Sequence, residues 1–265
     1  MKMLQRTCFF TLGCVLVAGR VVAQNYLAMH NGNANPTQEG WSNYTDFGSP
    51  QYSAVTNDLG KNSWSILLSS AGGGYSRTLP NISSLDWALS CNLRLVTPNQ
   101  PVFSTFSLAL GTGAKGFSLF FGSDAAGNAQ VRVGGGGSSP YTLLGQGTAY
   151  NSFQLIYSGE TGQASLWANS SQLASGINGI ELNMPASISW GGAVQSATSR
   201  QANWNSVSLE VIPEPNSLSL LCLGGGVLFC LRRRPLPPPP TANTPAPSCA
   251  PMPASTACAA WAPAQ

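Results

Sequence analysis

Charge is what this chain has least of. Asp, Glu, Lys and Arg make up 8% of its 265 residues, against roughly 25% in an ordinary soluble domain. Between Asn25 and Pro213 there are six basic residues (Lys61, Arg77, Arg94, Lys115, Arg132, Arg200) and eight acidic ones, a scattered net charge of −2. A surface that binds nucleic acid must neutralise phosphates with a basic face, so that partner is excluded. Histidine is reduced to His30, and any triad chemistry would rest on it alone; its position near the start of the body predicts a surface residue. Cysteine is scarce where it would matter, because only Cys91 lies in the body, the others falling at Cys8 and Cys14 or from Cys222 onward. One cysteine makes neither an internal disulfide nor a metal-binding pair, and Cys91 is expected to be buried. Sustained helical periodicity is missing as well.

What is present begins with two address-like ends. Residues 1–23 read as a secretory signal peptide: Lys2 and Arg6, an apolar stretch from Cys8 to Ala18, then Val21-Val22-Ala23 before a cut. At the other end, Pro213-Glu214-Pro215 precedes an apolar run from Ser217 to Leu231 and the cluster Arg232-Arg233-Arg234. The prolines stop a strand. The run is short of the ~20 residues that span a bilayer comfortably. The arginines hold its far side in the cytoplasm, which leaves the body outside.

This tripartite end closely resembles the PEP-CTERM sorting signal. The resemblance implies that Pro213, Glu214 and Pro215 are recognised by an exosortase-type transpeptidase, with Arg232, Arg233 and Arg234 completing the signal and the membrane helix serving only until processing. One departure is the Pro/Ala-rich stretch 235–265, where family members end soon after the arginines; its composition predicts disorder. The expected layout is therefore signal peptide 1–23, a folded body 24–212, sorting signal with a short transmembrane helix 213–234, and tail 235–265. Export to the cell envelope, outer surface or extracellular matrix follows.

The body alternates with a period of two. Trp87, Leu89, Cys91, Leu93 and Leu95 share one strand face, with Ser90, Asn92 and Arg94 on the other. Phe117, Leu119 and Phe121 repeat the pattern, as do Val131 with Val133, and Phe153, Leu155 and Tyr157. Val207, Leu209 and Val211 close the body, with Ser206, Ser208 and Glu210 outward. Gly-rich turns at 111–116, 122–127, 134–140 and 158–162 separate these runs, so the fold expected is all-β, an antiparallel β-sandwich or jelly roll, flanked by an N-terminal signal helix and a C-terminal membrane helix.

Three segments narrow this. Phe153 to Trp167, a strand ending in Tyr157 followed by Thr161-Gly162 and a second strand with Ala164 and Trp167, is similar to a hairpin of concanavalin A-like, laminin-G-like domains; Asn169-Ser170 stands where that family often has Asp-Gly. Trp190-Gly191-Gly192 with Gln201 to Val207, and Asn35 to Trp41, add to the likeness. It implies a concanavalin A-like sandwich over about 25–212, and carbohydrate as its ligand.

Chemistry is sparse. Gly111-x-Gly113-x-x-Gly116 spells a dinucleotide motif, but a strand follows where a phosphate cradle needs a helix, so it reads as a hairpin turn. The carboxylates Glu39, Asp46, Asp58, Asp86, Asp124, Glu160, Glu181 and Glu210 are isolated, each expected at a turn or in solvent, so no catalytic residue is named. No cofactor is expected; calcium is the one left open, at the loop flanked by Asp124 and Asn128. Trp41, Tyr44, Trp64, Tyr75, Trp167, Trp190 and Trp204 are the residues that could stack on sugars, although core packing is the commoner fate of such rings. Three functions remain in order: a non-catalytic polysaccharide-binding module, a structural matrix protein, and a glycoside hydrolase.

Overall fold

Alternation along the chain translates into strands throughout. The computed structural model describes residues 25–97, 105–134 and 139–213. The signal helix, the sorting signal from Glu214 onward, the membrane helix and the tail lie outside these described residues. Within them no helix is long and apolar enough to cross a membrane. The strands are β1 (Asn25–His30), β2 (Ser42–Phe47), β3 (Gln51–Asp58), β4 (Lys61–Leu68), β5 (Ala71–Thr78), β6 (Trp87–Leu95), β7 (Phe106–Gly111) and β8 (Lys115–Ser123). They continue as β9 (Ala129–Val133), β10 (Tyr141–Leu143), β11 (Asn151–Ser158), β12 (Gln163–Ala168), β13 (Ser171–Ile177), β14 (Ile180–Glu181), β15 (Ser187–Val194) and β16 (Arg200–Val211).

They form two antiparallel eight-stranded sheets. The first runs β13-β12-β11-β6-β16-β4-β3, with β1 also paired to β16; the second runs β10-β9-β8-β7-β15-β5-β2, with β14 on β8. Long β16 is shared along one edge, its first half by β4 and its second by β1. A bulge at Asn205 resets the period there. Trp204 and Val207, three apart in sequence, therefore both point into the core. The expected strands appear where the alternation placed them, and the expected glycine motif is the β7–β8 hairpin, closed by Thr112 N–H donating to Lys115 O at 2.8 Å. Strand β8 runs on through Gly122 and Ser123, so the following turn is shorter than the glycine spacing suggested.

Facing side chains fill the space between the sheets with rings. Trp190 on β15 stands at the centre. Tyr75 tilts against it at 4.9 Å, His30 stacks at 5.0 Å, Trp204 lies at 5.1 Å and Trp41 meets it edge-on at 5.9 Å. A second group has Trp87 stacked on Tyr157 at 5.0 Å, with Phe117 of the opposite sheet edge-on to both. Such pairs add about 0.5–1.5 kcal/mol each beyond area burial. The buried indole N–H groups of Trp87, Trp190 and Trp204 find no acceptor, which offsets part of that gain. Close backbone approach surrounds the hub: Gly191 has φ 154°, and a Cβ there would lie 2.3 Å from Gly73 O. Cys91 is buried as expected, and burial pushes its thiol up, against a backbone hydrogen bond at Phe153.

His30 corrects the expectation of a surface position. It is fully buried. Pairing of β1 with β16 carries it inward, and a 3-10 turn brings its partner. Asn35 caps that turn (Pro36–Glu39) by accepting from Thr37 N–H at 3.0 Å, and Gly40 ends it in the left-handed region at φ 85°. Glu39 then receives the His30 Nδ1–H at 2.5 Å. Burial lowers the His30 pKa, and the Glu39 hydrogen bond, the Glu39 charge and the Trp204 backbone oppose this without reversing it.

Two outcomes are expected. Trp190→Ala should cost about 3–5 kcal/mol in chemical denaturation, whereas Trp167→Ala should cost under about 1 kcal/mol. Because the folded His30 pKa lies below its ordinary 6.5, the unfolded chain takes up the proton first as pH falls. That contribution to stability is complete above about 6.5 and declines below it until the folded pKa is passed. Denaturation midpoints measured between pH 8 and 5 should fall on the acid side, with a shallower slope in His30→Gln.

Candidate functional site

The outward rows of the first sheet carry amides and hydroxyls instead of rings. Residues alternate with the core positions already described, so Ser90 and Asn92 on β6, Ser152 and Gln154 on β11, Trp167 on β12 and Ser206 on β16 share one face. They line a cleft of about 270 Å³, floored by Cys91 and Phe153 and walled by the Asn169-Ser170 turn. No carboxylate and no basic side chain lines it. Ligand pockets usually measure roughly 300–1,000 Å³, so this is a shallow shelf suited to part of a larger ligand. Trp167 is half-buried at its edge, in register with Gln154.

The wall beside Trp167 is held rigidly. Asn169 and Ser170 have φ 47° and 68°, the two left-handed residues of a tight β12–β13 hairpin. Asn tolerates that conformation better than most residues. The Asn169 carboxamide also accepts from Ser152 N–H and donates to Asn151 Oδ1, both at 2.9 Å. Inside the cleft, Asn92 Nδ2 donates to Ser152 Oγ at 2.7 Å, and Asn92 Oδ1 accepts from Lys61 Nζ at 3.2 Å.

Next to the cleft, the same face carries a charged network that corrects the expectation of Asp58 as an isolated turn residue. Asp58 accepts from Asn203 Nδ2 at 2.7 Å and Tyr150 OH at 2.8 Å, and pairs with Arg94. Arg94 Nε also donates to Thr148 O at 2.8 Å. Burial raises the Asp58 carboxyl, but the Asn203 and Tyr150 hydrogen bonds and the Arg94 guanidinium outweigh it and hold it below the ordinary 3.8. Burial and the Asp58 carboxylate push the Tyr150 phenol up to about 12, against Ser63 and Arg94.

Other expected residues fall as follows. Glu39 is the partner of His30, and Asp86, in the loop before β6, accepts from Gly159 N–H at 2.6 Å, so neither is isolated, contrary to expectation. Asp124 spends its oxygens on Asn128 N–H at 2.8 Å and Asn128 Nδ2 at 2.9 Å, and Asn128 Oδ1 accepts from Gly145 N–H. The loop considered for calcium is thus cross-linked by its own side chains, and the described residues contain no group of three His, Cys, Asp or Glu side chains placed to hold a metal. Of the rings singled out for sugar stacking, Trp41, Trp64, Tyr75, Trp190 and Trp204 are core, Tyr44 is half-buried on β2, and Trp167 alone lines the cleft. Pro213 follows β16, while Glu214, Pro215, Arg232, Arg233 and Arg234 lie outside the described residues.

No protein-family model and no curated protein sequence matches the chain. Solved structures do resemble it. A carbohydrate esterase of the Shiga toxin-encoding bacteriophage phi24B superposes with a TM-score of 0.56 at 11% identity, over 72% of this chain and 100% of that one. The fold is shared. The CBM2 module of the evolved Dit of Lactobacillus casei BL23 phage J-1 gives a TM-score of 0.42 at 13% identity, over 72% of this chain and 97% of that one. The receptor-binding domain of a botulinum neurotoxin mosaic serotype C/D gives 0.46 at 11%, over 77% of this chain and 51% of that one.

The network makes a strict demand at Asp58. Its Oδ2 receives two donors and its Oδ1 faces Arg94, so Asp58→Asn turns its NH2 either on Asn203 and Tyr150 or on Arg94, and loses the charge that pairs with Arg94 in both cases. A loss of about 1–3 kcal/mol is expected in urea denaturation, with the far-UV circular dichroism of the folded chain unchanged.

Proposed function

We propose that this chain is an exported, non-catalytic module that binds extracellular polysaccharide through the outer face of its first sheet, on a jelly-roll sandwich of the concanavalin A-like class. The observation that carries the reading is Trp167 standing at the edge of a cleft whose floor is Cys91 and Phe153 and whose other lining residues are Ser, Asn and Gln. A sugar ring has an apolar C–H face and a polar rim, and an indole beside neutral donors and acceptors answers both. Fixed polar groups convert hydroxyl patterns into specificity, since a mismatched ligand leaves them unpaired. The fold neighbour from phage phi24B is by its name a carbohydrate esterase. A non-catalytic role is favoured here because His30 is stacked in the core and the cleft holds no carboxylate.

Export belongs to the same reading and rests on the two ends. The layout is a signal peptide at 1–23, the sandwich within 24–212, a PEP-CTERM signal at 213–234 and a tail at 235–265, with delivery to the envelope, outer surface or matrix. An exosortase-type transpeptidase is the processing partner, reading Pro213, Glu214 and Pro215, with Arg232, Arg233 and Arg234 behind the temporary membrane helix. A second reading, a structural matrix protein without a specific ligand, is favoured by the burial of five of the seven singled-out rings.

Binding separates them. In a glycan array with the full chain, saturable binding to one polysaccharide class is expected, with affinity falling roughly tenfold or more, about 1.4 kcal/mol, in Trp167→Ala. A folded chain that binds no glycan selects the matrix role. For the sorting signal, replacing Pro213, Glu214 and Pro215 by Ala should leave the C-terminal segment uncleaved in an exosortase-containing host, read as a larger species on immunoblots.

A further inference from the structure

Resting on the carbohydrate reading, the geometry points to a specific ligand class: an uncharged, extended glycan of several sugar units, lying across the strands of the first sheet from Trp167 to Met29. Register places these residues in one line. Trp167 on β12 faces Gln154 on β11, Gln154 faces Ser90 on β6, Ser90 faces Ser208 on β16, and Ser208 faces Met29 on β1. All five point away from the core, and Met29 is 46% exposed. Four strand-to-strand steps give a line about 19 Å long. That exceeds a single sugar and suits a chain. The row has an apolar residue at each end and three neutral hydrogen-bonding side chains between, and Ser152, Asn92 and Ser206 widen it by a second row.

Charge selects within that class. Nothing in the line ionises. The nearest cations are turned onto protein groups: Lys61 donates to Asn92 and sits 5.4 Å from the Tyr150 ring centre, and Arg94 pairs with Asp58. Glu210, two residues along β16 from Ser208 on the same face, repels an acidic chain at the Met29 end. A uronate-bearing glycan therefore meets a carboxylate where it needs a cation.

The experiment is titration calorimetry of the full chain with neutral cello-, malto- and xylo-oligosaccharides from disaccharide to hexasaccharide, and with oligogalacturonate and oligoalginate as acidic probes. Affinity is expected to rise on the order of tenfold from disaccharide to hexasaccharide within a neutral series, and acidic hexasaccharides should bind more weakly. Ser208→Trp, which plants a bulky ring mid-line but outside the cleft, should pull hexasaccharide affinity down to the disaccharide value and leave the disaccharide unchanged. Met29→Glu, a milder change at the exposed end, should weaken only the longer ligands. Equal affinity for disaccharide and hexasaccharide, or no effect of either variant, overturns the extended ligand while leaving carbohydrate binding intact. Tighter binding of the acidic probes overturns the uncharged ligand. Binding of no saccharide at all overturns this inference together with the reading beneath it.

Discussion

The two sheets close on Trp190. Its ring stands on the second sheet and is packed by Tyr75 beside it and by His30 and Trp204 from the first sheet. Trp41 reaches it from the short segment after the 3-10 turn, and its Nε1–H is fixed to Met29 O at 3.0 Å. The next residue must be glycine, because any Cβ at Gly191 would strike Gly73 O. His30 reaches this ring through the pairing of β1 with β16, and the 3-10 turn sets Glu39 against His30. A neutral histidine is the form that fits, which ties the packing to pH.

Low charge then has a structural meaning. In a sandwich each strand sends one row of side chains inward and one outward. Here the inward rows hold nearly every large ring, while the outward rows of the first sheet hold Ser, Asn and Gln. On that face Asp58, Arg94 and Lys61 are paired with each other or with amides, as in the network joining Asp58, Arg94, Tyr150 and Asn203, while Glu210 adds a negative charge near the β1 end. What remains for a ligand is a neutral hydrogen-bonding surface with Trp167 on it. That chemistry matches sugar hydroxyls better than phosphates or peptide charges.

Much of this was legible in the sequence. The rows Trp87 to Leu95, Phe153 to Tyr157 and Val207 with Leu209 gave their inward faces directly, and the outward positions of Ser90, Asn92, Ser206 and Ser208 came with them. Sequence period says which face a residue takes and not which strand lies beside it. The cleft needs Asn92 next to Ser152 and Ser206, residues about 60 and 114 positions away, and only the pairing of β6 with β11 and β16 supplies that. His30 was misplaced for the same reason, since its burial depends on a partner strand near the far end of the body. Asp58 was read as isolated because its three partners lie 36, 92 and 145 residues away. Choosing Trp167 from seven candidate rings required knowing which sheet face each occupies.

Oxidative labelling of the tryptophans, read by mass spectrometry with and without a neutral hexasaccharide, tests the central division between core rings and binding ring most directly. Trp167 should label faster than Trp41, Trp64, Trp87, Trp190 and Trp204, and the saccharide should protect it while leaving the other five unchanged. Labelling of Trp190 or Trp204 at the rate of Trp167, or no protection of Trp167 by a saccharide that binds, would contradict the account.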